Sequence, residues 1–167
     1  GLVSNHTGLN KDLISTFDLL KKHAKAYKVV ALFSPEHGWQ GSAYAFEKVA
    51  DDKSKEIPIY SLHGTTRRPT SEMLKGIDTL IFDIQDVGVR PYTYASTLCY
   101  VMEEASKRGI EVIVLDRPNP MGGRTIDGGM LEPSCRSFIG YINVPYCHGM
   151  TVGELASYFN EETNVGC

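Results

Sequence analysis

The chain has 167 residues, 42% hydrophobic and 22% charged, with a formal net charge of −3. That is enough to bury one sizeable core and predicts a single α/β domain. The weak negative charge, with no basic residues interleaved with aromatics, excludes the basic stripe that a nucleic-acid backbone needs, so no nucleic-acid partner is expected. No apolar run approaches the ~20 residues required to span a bilayer, and the opening GLVSNHTGLN has neither the basic nor the apolar region of a secretion leader. Beginning on Gly and stopping at Cys167, the chain reads as a fragment or processed product, which leaves its compartment open.

Residues 11 to 27 place Leu13, Phe17, Leu20 and Ala24 at helical spacing behind Asn10, a plausible N-cap, and predict an amphipathic helix. VVALF at 29 to 33 is a continuous apolar run, the form of a strand covered on both faces. IPIYSL at 57 to 62 reads as a second strand, with Pro58 arguing for an edge or an end. Thr70 and Ser71 then cap a short helix that leads into the strand TLIFDI. Residues 93 to 109 are helical by periodicity, and Gly109 stops that helix before the strand IEVIVLD. Residues 118 to 150, rich in Gly, Pro and Asn, form an irregular excursion with one short strand around Phe138 to Ile142. Thr151 with Glu154 at capping-box spacing opens a last helix. Alternation of strands and helices with short connections predicts a doubly wound, mainly parallel sheet with helices on both faces.

In such sheets ligands bind beyond the carboxyl ends of the strands. Three apolar runs here end in reactive side chains: Glu36 and His37 after the first, Asp83, Gln85, Asp86 and Arg90 after the third, and Asp116, Arg117 and Asn119 after the fourth. One such Asp is more often a turn former or a helix cap. Three clusters at equivalent positions point to a shared ligand site.

The chemistry narrows by what is missing. The loop SPEHGWQG carries Glu36 and Trp39 where a dinucleotide or ATP site needs closely spaced glycines, so no nucleotide cofactor is expected. Glu36, His37, His63, Asp83, Asp86, Asp116 and His148 include enough donors for a metal-dependent hydrolase, but none stands at a recognised ligand spacing, and no metal is expected. Ser34 precedes a proline and lies in no nucleophile elbow. Paired carboxylates for glycoside hydrolysis remain, with a substrate acetamido group as an alternative to the second one. Cys99 reads as a core residue; Cys135 and Cys147 would be able to pair in an oxidising compartment.

Taken together, GLVSNHTG, LFSPEHGWQG, IYSLHG, RRPTSEML, IDTLIFDIQDVGVRPYTY, LDRPNPMGG and HGMTVGELA, in that order, resemble the bacterial exo-β-N-acetylmuramidases, long catalogued as a domain of unknown function. The resemblance covers Gly1 to about Asn160. It implies a Rossmann-like N-terminal catalytic domain over residues 1 to 167, joined in the family to a smaller C-terminal domain of the same polypeptide, with the cleft between them. It also implies a glycoside hydrolase that releases terminal, non-reducing β-linked N-acetylmuramic acid from peptidoglycan-derived disaccharides or muropeptides in cell-wall turnover and recycling, and it favours a secreted or periplasmic location. The family's catalytic glutamate falls on Glu36. Departures are Ser34, Trp39 and the stretch 44 to 56, which lacks a glycine-rich turn.

Within that frame Glu36 is the general acid, its proton favoured by desolvation beside Trp39. Asp83 and Asp86 orient sugar groups or supply the second carboxylate, with Asp116 a comparable claimant. Arg90 and Arg117 are candidates for the lactyl carboxylate that distinguishes muramic acid. Tyr92 or Tyr94 would wall the ring, with only one expected to face the cleft, and His37, Asn119 and His148 complete the substrate contacts. His6, His23 and His63 read as structural or surface residues. A non-catalytic amino-sugar or muropeptide-binding module is the rival reading.

Overall fold

The computed structural model describes residues 1–45, 47–52 and 57–167. Its five strands are β1 (Leu2–Ser4), β2 (Leu32–Ser34), β3 (Ile59–Ser61), β4 (Thr79–Asp83) and β5 (Glu111–Val114). They form one sheet in the order β3-β2-β1-β4-β5, every pairing parallel. The helices are α1 (Thr16–Lys22), α2 (Tyr94–Ser106) and α3 (Val152–Thr163). The Rossmann-like, doubly wound α/β expectation holds.

Strand alternation builds two apolar layers. Val3, Phe33, Leu80 and Phe82 face a large core completed by Leu98, Val101 and Met102 of α2 and by Leu155 and Phe159 of α3. Leu2, Leu32, Ile59 and Ile81 face the other way, where Phe17 and Leu20 of α1 and Trp39 cover them. Both faces of the middle strands are therefore dry, which is why β2 and β4 read as unbroken apolar runs. At the edge, β5 is half-covered: Val112 and Val114 lie against the core while Ile113 is 40% exposed. IPIYSL also holds its edge position, as Pro58 suggested.

Four expectations are corrected. The first helix starts at Thr16, not residue 11, because Asn10 folds a turn in which its Oδ1 accepts from the N–H of Asp12 (3.0 Å) and Ile14 (2.9 Å). Leu13 adopts φ 58° and is exposed; Ser15 is the cap, accepting from Asp18 N at 3.0 Å. Ala24 lies beyond the helix and is exposed. Residues 71 to 76 make turns, not an α-helix, closing at Gly76 with φ 76°. No strand spans 138 to 142; Phe138 and Ile142 are each 5% exposed, plugs that drive an irregular backbone into the core. Finally, Cys135 and Cys147 are separate free thiols. The departure at 44 to 56 lies partly outside the described residues.

One element was unforeseen. β1, the centre of the sheet, is only three residues long. α3 matches its expected start, with both halves of the Thr151–Glu154 capping box formed. No helix of the described residues is long and apolar enough to cross a membrane.

Candidate active site

The strand order reverses between β1 and β4, and the carboxyl ends of β1, β2, β3 and β4 converge there, the usual ligand position in an open α/β sheet. Glu36 stands two residues beyond β2, in the PEHG turn. It is 5% exposed. Thr93 Oγ1 donates to its Oε2 at 2.7 Å, and His63 Nε2 lies 3.5 Å from its Oε1. Thr93 is the N-cap residue of α2, yet its side chain makes no cap hydrogen bond. The hydroxyl that would ordinarily cap the helix serves Glu36 instead, a local rule broken in favour of the site.

His63, two residues past β3, is buried and its backbone N–H donates to Ser61 Oγ at 3.1 Å. Burial pushes its pKa below the usual histidine value, the Glu36 charge pulls upward, and Arg67 and His37 push further down. The imidazole beside Glu36 is thus held neutral at neutral pH. His37 itself adopts φ 70° and its Nδ1 lies 2.8 Å from the Ala43 carbonyl, which turns the PEHG loop back over the strand end.

Tyr94 and Tyr92 extend the cluster. Tyr94 is 3% exposed, and its hydroxyl reaches the Glu36 carbonyl at 3.5 Å. Its ring meets Tyr92 edge-on, with centroids 4.7 Å apart. Burial first, then the neighbouring Tyr92, raises the Tyr94 phenol well above its ordinary value; burial likewise raises Tyr92, with Asp86 adding to the shift. Both phenols stay protonated donors. Tyr92 precedes α2 and Tyr94 opens it, so the two rings meet edge to face rather than following one helical face.

Asp86 is 3% exposed. Its Oδ2 accepts from Gly88 N at 2.7 Å and lies 3.3 Å from His148 Nε2, while Oδ1 is buried without a partner. Met150 N donates to His148 Nδ1 at 3.2 Å, and His148 Nε2, like Asp86 Oδ1, is buried without a hydrogen-bond partner. Gly88 permits this turn with φ 89°, and a side chain there would strike Asn119, 2.3 Å from a Cβ.

The remaining sequence candidates are bound into the scaffold. Asp83, 1% exposed, receives Arg117 in a bidentate pair, Nε at 2.6 Å and Nη2 at 3.1 Å, and also Thr16 Oγ1. Arg117 Nη2 additionally donates to the Leu9 carbonyl at 3.0 Å. Gly8 lets the β1 loop close over this pair, since a Cβ there would meet Ser4 Oγ at 2.2 Å. Asp116 accepts from Thr151 Oγ1 (2.8 Å) and Gly153 N (2.7 Å), an anion at the N-terminus of α3. Asn119 donates to the Met150 carbonyl at 3.0 Å. Arg90 Nη1 donates to the carbonyls of Gly129 (2.9 Å) and Val144 (2.5 Å), clamping the 118 to 150 excursion.

The structure therefore brings Glu36, His37, Tyr92 and Tyr94 together with Asp86 and His148 behind them, and gives Asp83, Arg90, Asp116, Arg117 and Asn119 partners of their own. His63 was read from the sequence as a structural or surface residue, and Thr93 was not singled out. The rule that led to Glu36, residues just past a strand, also marks His63; Thr93 carries no comparable signal. A cavity of about 670 Å3 lies elsewhere, between α3 and β5; of its three acids, Asp116 and Glu154 are engaged in capping α3 and Glu161 lies along that helix, so chemistry and not volume locates the site. Among the described residues no three His, Cys, Asp or Glu side chains are grouped as a metal site requires.

Comparison with known proteins decides the family. The model of the exo-beta-N-acetylmuramidase NamZ N-terminal family matches residues 1–167. The chain belongs to that family. It is 50% identical, over 99% of its own length, to peptidoglycan beta-N-acetylmuramidase NamZ of Bacillus subtilis (strain 168), and spans 40% of that relative. Two crystal structures of DUF1343 family proteins from Bacteroides fragilis NCTC 9343 superpose with TM-scores of 0.87 and 0.80, at 48% and 38% identity. They cover 98% and 96% of this chain, and the chain covers 41% of each.

Proposed function

We propose that this chain is the catalytic N-terminal domain of an exo-acting glycosidase that removes terminal, non-reducing β-1,4-linked N-acetylmuramic acid from peptidoglycan fragments. The observation that carries the reading is Glu36: a carboxyl buried at the end of β2, held by the Thr93 hydroxyl and beside a neutral histidine, in a chain that belongs to the exo-muramidase family. The chain spans 40% of its curated relative, so the full-length polypeptide is the form in which the reading is tested.

Glu36 in its protonated form donates to the glycosidic oxygen as the bond to C1 breaks, and the shortened saccharide leaves as an alcohol. Water adds at C1 and the displaced proton restores the acid. Asp86, oriented by Gly88 N and by His148, supplies the second carboxylate or steadies the acetamido group; its unpaired Oδ1 is the acceptor free for that purpose. Tyr92 and Tyr94 remain neutral donors beside the sugar. The Asp83–Arg117 pair acts by position, fixing the loop after β1 to the end of β4.

The test is incubation of the full-length polypeptide with the disaccharide MurNAc-β-1,4-GlcNAc. Free N-acetylmuramic acid and N-acetylglucosamine in equal amounts are expected. Binding of the disaccharide with no release of either sugar would replace the enzyme with a binding module.

A further inference from the structure

Muramic acid differs from glucosamine by a lactyl ether on C3, so an enzyme that prefers it needs a cation one sugar-ring's width from the acid that protonates the glycosidic oxygen at C1. The two arginines that follow the strand ends are occupied. Arg117 is neutralised by Asp83, and Arg90 reaches into the carbonyls of the 118 to 150 excursion. Arg68 is paired with Glu103 and hydrogen-bonded to Tyr141 at 3.2 Å.

Arg67 is different. It is exposed, and among the described residues it has neither a carboxylate partner nor a hydrogen bond; its guanidinium carbon rests 4.3 Å above the ring of Phe138. Phe138 is buried and packs on His63 with centroids 5.8 Å apart, and His63 Nε2 is 3.5 Å from Glu36. A short relay of rings thus sets the cation at a fixed stand-off from the acid, on the α2 side of the strand ends. Packing on an aromatic face fixes the position of the planar guanidinium while leaving its edge donors open, the arrangement that suits a bidentate carboxylate. Its influence on the His63 pKa is consistent with that proximity.

We propose that Arg67, mounted on Phe138, is the specificity-determining residue that binds the lactyl carboxylate of the terminal N-acetylmuramic acid. The assignment rests on the exo-muramidase reading of the Glu36 site. It makes a prediction that reading does not: selectivity resides in a residue that takes no part in bond cleavage.

The experiment compares the full-length polypeptide with its Arg67→Ala and Arg67→Lys variants on two aryl β-glycosides. One is derived from N-acetylmuramic acid and the other from its lactyl amide, which has no charge. The parent should favour the acid, and Arg67→Ala should raise KM for the acid about tenfold, the order expected for one partly exposed charge-assisted pair, with KM for the amide and kcat on both unchanged. Arg67→Lys should fall between, keeping the charge and losing the fork. Equal KM effects on the two glycosides, or none, would overturn the assignment while leaving the hydrolase intact. A parent that cleaves neither glycoside nor the natural disaccharide would overturn the hydrolase reading and this assignment with it.

Discussion

Asp83 separates a structural from a chemical use of a buried acid. Its carboxylate is 1% exposed and meets Arg117 through two hydrogen bonds of 2.6 and 3.1 Å, with Thr16 on the same oxygen as the longer one. Asp83→Asn keeps the volume and removes the charge, stranding the Arg117 cation. Breaking a fully buried pair typically costs about 3–5 kcal/mol. The Arg117 side chain is 22% exposed and gains some hydration once released, so the lower end applies, about 3 kcal/mol. For a 167-residue unit unfolding in its own transition that corresponds to a fall of about 6–12 °C in the Tm of that transition. Differential scanning calorimetry of the full-length polypeptide measures it, with turnover assayed well below the transition. The reasoning requires a large Tm loss, kcat within about threefold of the parent, and partial recovery in Asp83→Asn combined with Arg117→Met, where neither charge remains. A Tm within about 2 °C of the parent, or a thousandfold fall in kcat in a stable variant, would refute it.

Three further outcomes follow from the packing and the caps. Phe33→Ala, at a position of zero exposure in the middle of the sheet, should cost about 3–5 kcal/mol in urea unfolding, a large share of the domain's stability. Thr151→Ala removes one half of the α3 capping box and should cost about 1 kcal/mol by the same measurement. Because the folded pKa of His63 lies below its unfolded value near 6.5, the unfolded chain binds the extra proton first. The His63 contribution is whole above about pH 6.5 and is lost as pH falls toward the folded value; His63→Asn should flatten that part of the stability profile, seen by Tm against pH.

The legible parts of the fold were those whose local and tertiary demands agree. TLIFD is apolar on both faces because β4 is covered on both, and Thr151 with Glu154 satisfies its own helix end. Where long-range contacts decide, periodicity misled: Leu13 fits a helical pattern, but Asn10 offers its neighbours' N–H groups a better partner. β1 was invisible because three residues show no period, and its place is set by long-range pairing with β2 and β4 and by the helices that cover both faces. Glu36 could be found in the sequence as a carboxyl closing an apolar run. That Asp116 caps α3 while Asp86 meets His148 depends on how the 118 to 150 excursion packs, which composition does not encode.

The central claim is that Glu36 delivers the proton, and leaving-group dependence tests it most directly. Full-length parent and Glu36→Gln are compared on MurNAc-β-1,4-GlcNAc, whose departing alcohol needs protonation, and on an aryl glycoside of the same sugar whose phenolate leaves unaided. The account predicts a loss of about 10²–10⁴-fold on the disaccharide and a much smaller loss on the aryl glycoside. Equal losses on both, or a variant as active as the parent on the disaccharide, would contradict it.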